Sequence, residues 1–101
     1  MNFETIKAAF IKHYEGDLQP FIELFSKDLH CESIHKSSMG NKVKSYDEFV
    51  NMVKDVKWVS EPIIQCVLET PNTVVKTEDG FDTNITYLEI EHIQDGKIIK
   101  Q

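Results

Sequence analysis

The sequence contains no arginine: all eleven basic side chains are lysines, set against seventeen acidic residues for a net charge of −6. Arginine supplies the planar fork that binds phosphates and guanine bases through two hydrogen bonds at once. An acidic chain also lacks the electrostatic attraction that holds proteins on nucleic acids and on anionic membranes. The composition therefore argues against both kinds of partner.

Glycine, proline, cysteine and long apolar runs are also scarce. Four Gly and three Pro, with 41% hydrophobic and 28% charged residues, are typical of one globular domain, which we expect to span residues 1–101. Cys31 and Cys66 form no CxxC or Cys/His ligand spacing, so we expect no metal and no cofactor. The N-terminus has no basic segment leading into an apolar stretch, and we expect a cytoplasmic protein with reduced thiols.

The first half of the chain carries three helical patterns. Apolar residues recur every three or four positions over residues 3–14, and a second such pattern runs from Leu18 to about residue 27. Ser45 and Glu48 form the capping box Ser-x-x-Glu, in which each side chain accepts a hydrogen bond from the other's backbone N–H group. This box predicts a third helix from there to about residue 57.

The rest of the chain alternates in the manner of strands. The predicted strands are residues 29–35, 63–69, 73–77, 85–93 and the residues from 97 onward, and residues 36–44 are predicted to form a loop. Turn signals at Pro71-Asn72, Glu78-Asp79-Gly80 and Asp95-Gly96 make the neighbouring strands antiparallel. Helices followed by such a meander predict an α+β fold with the helices on one face of the sheet.

Several short phrases strengthen this interpretation. They are Glu15-Gly16-Asp17-Leu18, Leu24-Phe25-Ser26-Lys27-Asp28, Ser45-Tyr46-Asp47-Glu48-Phe49 and Gln94-Asp95-Gly96-Lys97-Ile98. In content and position they resemble the nuclear transport factor 2-like superfamily, particularly its SnoaL-like, or polyketide cyclase-like, branch. The resemblance implies a cystatin-like cone, in which three N-terminal helices pack in the concave face of a curved antiparallel sheet. It also implies a mostly apolar cavity between the two layers.

Alternation along the strands predicts which side chains face that cavity. The predicted inward set on the later strands is apolar and comprises Ile64, Cys66, Leu68, Thr86, Leu88 and Ile90. By the resemblance, Cys31, Ser33 and His35 point inward as well. The predicted outward set is Ile63, Gln65, Val67, Glu69, Ile85, Tyr87, Glu89, Glu91 and Ile93. This outer face is half apolar and indicates a homodimer through the sheet, the alternative being a monomer with a patchy surface.

The resemblance allows two reaction types to be compared with the sequence. The steroid isomerase position for the catalytic base falls on Ser33, the helical Tyr position falls on Ala9, and the later acid falls near Leu88. The epoxide hydrolase arrangement needs an arginine, which this chain lacks. Neither of these two designs is therefore expected here.

The remaining candidates form a set with few charges. His35 is the best acid–base candidate because imidazole titrates near neutral pH, with Ser33 beside it, although a His at the end of a strand is more often solvated or capped. The predicted ligand-binding residues are Tyr14, Cys31, Trp58, Cys66 and His92. Core packing explains Tyr14 better than ligand binding does, and buried filler is the default interpretation of both thiols. For Trp58, a packing role and a ligand-binding role explain the residue equally.

Two functions from different classes follow from these residues. In the first, the domain binds a small hydrophobic molecule in a mostly apolar cavity, and the sequence leaves open whether it also performs weak isomerase- or cyclase-type acid–base chemistry. In the second, it is a non-catalytic homodimeric interaction module whose cavity is filled by its own aromatic side chains. Whether the protein is an enzyme is not decided by the sequence.

Overall fold

A computed structural model describes residues 1–34, 41–82 and 85–101. Within these ranges there are three helices: α1 (Phe3–Tyr14), α2 (Gln19–Ile22) and α3 (Tyr46–Val53). There are six strands: β1 (Phe25–Ile34), β2 (Asn41–Lys44), β3 (Ile63–Thr70), β4 (Thr73–Asp82), β5 (Ile85–Gln94) and β6 (Lys97–Lys100). The predicted α+β fold, with the helices packed on one side of the sheet, is confirmed.

Helix α1 begins and ends where the sequence predicts. The Asn2 side chain caps its first turn by accepting a hydrogen bond of 2.9 Å from the backbone N–H of Thr5. Gly16 follows the helix with a φ of 99°, a left-handed conformation that glycine adopts without strain. The buried stripe of α1, including Ile6 and Phe10, packs against the core. Its N-terminus is held to β3 by a hydrogen bond of 2.6 Å from the Phe3 N–H to the Glu69 carboxylate.

The other two helices are shorter than predicted. Helix α2 ends at Ile22 because Phe25 already belongs to β1, where it pairs with Ile98 of β6. Helix α3 begins with the predicted capping box, and both of its hydrogen bonds, between Ser45 and Glu48, are formed. It ends at Val53 and not near residue 57.

The sheet has the strand order β2-β1-β6-β5-β4-β3. Strands β1 and β6 run parallel, and the other neighbours run antiparallel, so the sheet is mixed and the fully antiparallel expectation is wrong at this one junction. Residues 41–44, predicted to lie in a loop, pair with β1 as strand β2. The rest of that predicted loop lies outside the described residues.

Gly80 lies inside β4, and the predicted turn at residues 78–80 is wrong. Its φ of 104° lets the strand bend while its carbonyl accepts hydrogen bonds from the N–H groups of Val59 and Ser60. A Cβ atom at this position would lie 2.9 Å from the carbonyl oxygens of Ser60 and Glu61. The chain between α3 and the sheet therefore reaches β4 closely only because residue 80 is a glycine.

From Thr86 to Ile93 the two faces of β5 are the reverse of the predicted ones, whereas Ile85, predicted to face outward, is exposed. Cross-strand pairs place Tyr87 beside Glu78 and Glu89 beside Lys76, on the face covered by the helices. Leu88 and Ile90, predicted to face inward, are exposed on the opposite face. The prediction took the more apolar face of the strand as the inner one, and a wrong choice of face misplaces the side chains all along a strand because its period is two.

Strand β3 agrees with the prediction only in its first half. Ile64 is buried, as predicted. A β-bulge between Cys66 and Leu68 then shifts the alternation, so that Leu68 pairs with Val75 on the outer face and Glu69 turns toward α1.

Candidate functional site

A cavity of about 160 Å³ lies between the helices and the inner face of the sheet. Its lining comes from the three helices, from the loop after α3, from strands β1, β4 and β5, and from the residue that follows β6. The lining residues are Phe10, His13, Phe21, Cys31, Phe49, Met52, Val53, Trp58, Glu78, Phe81, Tyr87, Glu89 and Gln101. Six of these are aromatic, and two are carboxylic acids.

Four of the aromatic rings follow one another around the cavity at steep angles. Phe10 and Trp58 have ring centroids 6.1 Å apart with an angle of 65° between the ring planes. Trp58 and Phe81 are 5.5 Å apart at 86°, and Phe81 and Tyr87 are 5.5 Å apart at 85°. Edge-to-face contacts of this kind are favourable between aromatic rings. The rings therefore form cavity walls that face in several directions.

A buried lysine lies beneath this aromatic lining. The ammonium group of Lys76 on β4 lies 4.2 Å from the centroid of the Phe10 ring, which is a cation–π contact. Its Nζ is 2.8 Å from an oxygen of Glu89, 3.1 Å from Glu91 and 3.5 Å from Glu78. Lys76 and Glu91 are fully buried and Glu78 nearly so, which a charge tolerates only when it is paired and hydrogen-bonded.

Gln101, directly after β6, completes this cluster. Its side-chain amide donates hydrogen bonds of 2.8 Å to Oε2 of Glu89 and 2.7 Å to Oε1 of Glu91. Its amide oxygen accepts a long contact of 3.9 Å from the thiol of Cys31. The second oxygen of Glu91, Oε2, is buried and has no hydrogen-bond donor within the described part of the chain.

The three carboxyl groups have different pKa values because they share one ammonium group. Burial, together with the hydrogen bond and the negative charge of Glu89, raises the pKa of Glu78 to about 10. Burial also raises the pKa of Glu91 to about 7, although Lys76 counteracts part of the effect. Burial acts in the same direction on Glu89, but the charge of Lys76 and the hydrogen bond from Glu78 outweigh it and hold the pKa of Glu89 below its ordinary value.

These pKa values define the state of the site at neutral pH. Glu78 is protonated and Glu89 is ionised, and the two share the wall of one cavity. Burial alone would lower the pKa of Lys76, but the carboxylates of Glu89, Glu91 and Glu78 raise it, and the lysine stays charged. The site therefore presents a hydrogen-bond donor, Glu78, next to an acceptor, Glu89, and this pair can give and take a proton.

His13 and Trp58 fix the side of the cavity opposite the sheet. The indole N–H of Trp58 donates a hydrogen bond of 3.1 Å to Nδ1 of His13. Nε2 of His13 must then carry the proton that it donates to the carbonyl oxygen of Val53, 3.1 Å away. Burial lowers the pKa of His13, with the Val53 carbonyl acting in the opposite direction, so the ring is neutral and serves to hold Trp58 in place.

The predicted site residues are only partly brought together. Cys31 and Trp58 line the cavity. Tyr14, Cys66 and His92 are exposed outside its lining, and their predicted place in it is wrong. Tyr14 lies at the solvent-exposed end of α1, Cys66 stands at the bulge of the edge strand β3, and His92 belongs to the outer face of β5 because that strand's faces are reversed.

Ser33 and His35 are the two predicted acid–base residues, and the structure describes only the backbone of Ser33. Ser33 belongs to β1, where its backbone pairs with Lys42 of β2. His35 lies outside the described residues. Their proposed catalytic role stays a prediction.

The expectation of a cavity with few charges is wrong. Glu78 and Glu89 line it, and Lys76 and Glu91 lie directly behind them. The sequence does carry a signal for this cluster, since Lys76 and Glu78 are two residues apart on one strand and Glu89 and Glu91 are two apart on the next. Opposite charges at matching spacing on neighbouring antiparallel strands can pair across one face of the sheet.

Two features are absent from the described ranges. Neither residues 1–34, 41–82 nor 85–101 contain a group of three or more His, Cys, Asp or Glu arranged to hold a metal ion. In the same ranges, no helix has both the length and the apolar character needed to cross a membrane.

Comparison with known proteins identifies the fold. No protein-family model and no curated protein matches the chain by sequence. An NTF2-like protein of unknown function from Cytophaga hutchinsonii has a similar structure, with a TM-score of 0.65 and 12% identity over 94% of this chain and 81% of that one. A protein described as a polyketide cyclase from Sinorhizobium meliloti has a TM-score of 0.62 and 16% identity over 96% and 90% of the two chains.

A third similar structure is a Δ5-3-ketosteroid isomerase from a Mycobacterium species, with a TM-score of 0.61 and 15% identity over 95% of this chain and 88% of that one. All three likenesses lie below 25% identity and concern the fold. The chain is thus an α+β cone. In particular it has the NTF2-like fold, and the resemblance drawn from its short sequence phrases is confirmed at this level.

Proposed function

We propose that this protein binds a small organic molecule in the cavity between its helices and its sheet. The observation that carries this proposal is an aromatic cavity whose wall contains two carboxyl groups, those of Glu78 and Glu89. Aromatic walls with a few convergent polar groups are typical of small-molecule sites. A cavity of about 150 Å³ in another protein admits benzene, so the occupant here has roughly the size of a single ring.

The two carboxyl groups also supply the acid and the base that isomerase- or cyclase-type chemistry requires. With a ketone in the cavity, the Glu89 carboxylate takes a proton from the carbon next to the carbonyl, and the Glu78 hydroxyl donates a hydrogen bond to the resulting enolate oxygen. Returning the proton restores both groups. Exchange of deuterium from the solvent into cyclohexanone, followed by NMR, measures this step, and Glu89→Gln should abolish any acceleration because an amide cannot accept the proton.

A pair of cysteines provides a matched test of binding. Cys31 is buried and lines the cavity, whereas Cys66 is exposed outside its lining. Single-ring probes such as phenol and cyclohexanone should raise the melting temperature of the wild-type protein and of Cys66→Met. Cys31→Met should lose this shift, because its longer side chain fills the cavity. If no single-ring probe stabilises the wild-type protein, or if both variants keep the shift, the proposed binding site is wrong.

A second proposal concerns the outer face of the sheet, which we infer to be a homodimer interface. Leu68 pairs through Val75 with Ile90 across three strands, and Leu88 lies beside them on the same face. Leu68, Leu88 and Ile90 expose between 45% and 66% of their surface. Contiguous exposed apolar side chains favour a contact with a second copy of the same face. Sedimentation equilibrium should give twice the mass of one chain, and a monomer at all concentrations would contradict the proposal.

The cytoplasmic location expected from the sequence stays a prediction. It is supported by two thiols that form no disulfide, Cys31 and Cys66.

A further inference from the structure

We propose that the cavity binds a small organic cation, such as an alkylammonium group, which is held by the aromatic rings and by the carboxyl group of Glu78. This inference rests on the proposed small-molecule site and names the chemical class of its occupant. It goes beyond the small hydrophobic ligand expected from the sequence, because that expectation assumed a cavity with few charges.

In the buried cluster, carboxyl groups outnumber ammonium groups among the described residues. Within the described residues, three carboxyl groups, those of Glu78, Glu89 and Glu91, lie within 3.5 Å of a single ammonium group, that of Lys76. If all three were ionised, the buried cluster would carry two uncompensated negative charges. Oε2 of Glu91, which has no donor in the described ranges, belongs to the same group of carboxylates. The site therefore has unused capacity for positive charge.

The walls of the cavity are aromatic and meet at steep angles. Phe10, Trp58, Phe81 and Tyr87 surround the cavity with ring planes at 65° to 86° from one ring to the next. Rings in several orientations can direct their electron-rich faces at one cation, and this is how proteins recognise alkylated ammonium groups. Lys76 already uses the same combination, since its ammonium lies over the Phe10 ring and against carboxylates.

Protonation also neutralises part of the excess negative charge. Burial raises the pKa of Glu78 to about 10 and that of Glu91 to about 7. The other titratable or charged groups that face the cavity or the cluster are His13, Cys31, Lys76, Tyr87 and Glu89. A cationic ligand beside Glu78 stabilises its ionised form, so the proton leaves as the ligand enters.

A neutral ligand makes a different use of the same site. A carbonyl group would accept a hydrogen bond from protonated Glu78 and would leave the number of bound protons unchanged. It would gain little from the aromatic faces beyond apolar contact. Proton release on binding therefore distinguishes the two kinds of occupant.

The test uses tetramethylammonium and its neutral counterpart of similar shape, tert-butanol. Binding is followed by the fluorescence of Trp58, which lines the cavity and is the only tryptophan of the chain. We expect tetramethylammonium to bind about tenfold more tightly than tert-butanol at pH 7. Tetramethylammonium carries a permanent charge, so any change of its affinity with pH comes from titration of the protein. The affinity should increase by up to about tenfold per pH unit between pH 7 and pH 9.

Calorimetry in two buffers with different ionisation enthalpies counts the protons directly. Tetramethylammonium should release roughly one proton per bound ion at pH 7, and tert-butanol should release none. The Glu78→Gln variant keeps the shape of the protonated acid but has no proton to lose. It should show no proton release and little preference for the cation, whereas Glu4→Gln, an exposed change on α1, should behave as the wild type.

A second variant guards against an effect of Glu78 on folding. Phe81→Leu keeps the carboxyl groups and removes one aromatic face from the wall. The affinity of this variant for tetramethylammonium should fall several-fold, while its affinity for tert-butanol should change little.

The outcomes separate this inference from the function on which it rests. If single-ring probes and tert-butanol bind but tetramethylammonium binds no better and releases no proton, the site takes neutral ligands and the cation proposal is overturned. If neither these probes nor tetramethylammonium bind, both proposals are overturned. Tight binding of the cation that survives in Glu78→Gln would also overturn the inference, because the charge would then be recognised elsewhere.

Discussion

Folded proteins usually bury apolar side chains and expose charged ones. Strands β4 and β5 do the reverse on their inner and outer faces. The inner face carries Lys76, Glu78, Glu89 and Glu91 in the space beneath the helices, where Lys76 and Glu91 are wholly buried. The outer face exposes 66% of Leu88 on the same pair of strands. The charged residues are inside, and part of the apolar surface is outside.

This difference shows that pairing, and not hydrophobicity residue by residue, decides which face of these strands is covered. Each inner carboxyl group has Lys76 within 3.5 Å, and Gln101 bridges two of them. The buried groups are therefore stable as a set and costly to break singly. The outer face has no such internal network in the described chain, and its exposed leucines need a partner molecule to be covered.

The largest effect is expected when the inner network loses Lys76, the only cation that the described residues place in it. Lys76→Met leaves three carboxyl groups in a buried site without an ammonium group. We expect a loss of about 3–5 kcal/mol in the free energy of unfolding at pH 7, because removing one member of a buried ion cluster exposes the full cost of the remaining charges. Urea unfolding followed by circular dichroism measures it.

The matched control is an exposed lysine. Lys12 on α1 lies 3.8 Å from Glu15 with both side chains more than half exposed, and Lys12→Met should change stability by less than about 0.5 kcal/mol. If the two variants are equally stable, the charged cluster contributes nothing and the contrast between the two faces has no energetic meaning.

The next effect is a loss of stability as the pH rises from 7 to 9. The pKa of Glu78 is raised from 4.5 in the unfolded chain to about 10 in the folded protein. Over this range the folded protein keeps a proton that the unfolded chain has lost, so rising pH favours unfolding. The slope for one such group is about 1.4 kcal/mol per pH unit, giving a loss of roughly 2–3 kcal/mol between pH 7 and 9.

The other shifted groups act outside this range. The pKa of Glu91 is already near 7, so its contribution has been lost by then, and the lowered pKa of His13 makes stability rise with pH only below 6.5. Comparing the wild type with Glu78→Gln isolates the slope, since the variant keeps every other titrating group. Equal slopes in the two proteins would mean that Glu78 is ionised in the folded state.

A smaller loss is expected when Gln101 is truncated. Gln101→Ala removes the amide that donates to Oε2 of Glu89 and to Oε1 of Glu91. One buried carboxylate oxygen, that of Glu91, and one partly buried oxygen, that of Glu89, then lose a donor, which should cost about 1–3 kcal/mol in urea unfolding. Gln94→Ala, an exposed residue of β5, is the control and should be close to neutral. Equal effects in the two variants would show that water replaces the amide without cost.

Much of the helical layer was predictable from the sequence because helix signals are local. The spacing of Phe3, Ile6 and Phe10 marks one buried stripe, and the capping box at Ser45 needs only residues three positions apart. The C-terminal ends of α2 and α3 were less predictable. Phe25 continues an apolar helical pattern in the sequence, and only its pairing with Ile98 of β6, far along the chain, makes it a strand residue.

The inner face of the sheet was not predictable from alternation alone. On β5, one face carries Tyr87 and Ile93 with two glutamates, and the other carries Leu88 and Ile90, so apolar content favours the wrong face. The choice is made by Lys76 on the neighbouring strand, which requires carboxylates opposite it. Of the predicted ligand-binding residues, Cys31 and Trp58 line the cavity, and their role there stays a prediction. The acidic residues of the cavity were missed because each was weighed without its cross-strand partner.

The smallest effect on stability, and the clearest on assembly, is expected from the outer face. Leu88→Lys places a charge on an exposed position whose side chain makes no part of the inner network. The folded chain should lose less than about 0.5 kcal/mol by itself, as is usual for exposed sites. If the face is a homodimer interface, however, the two inserted lysines meet or lie buried in the contact, and sedimentation should show a folded monomer in place of a dimer. If Leu88→Lys does not fold, Leu88 contributes to the core of the chain and not to an exposed face. If the variant folds and is still a dimer, the interface lies elsewhere. Loss of the dimer with the cavity probes still bound would show that the apolar outer face serves assembly and the charged inner face serves ligand binding, independently of each other.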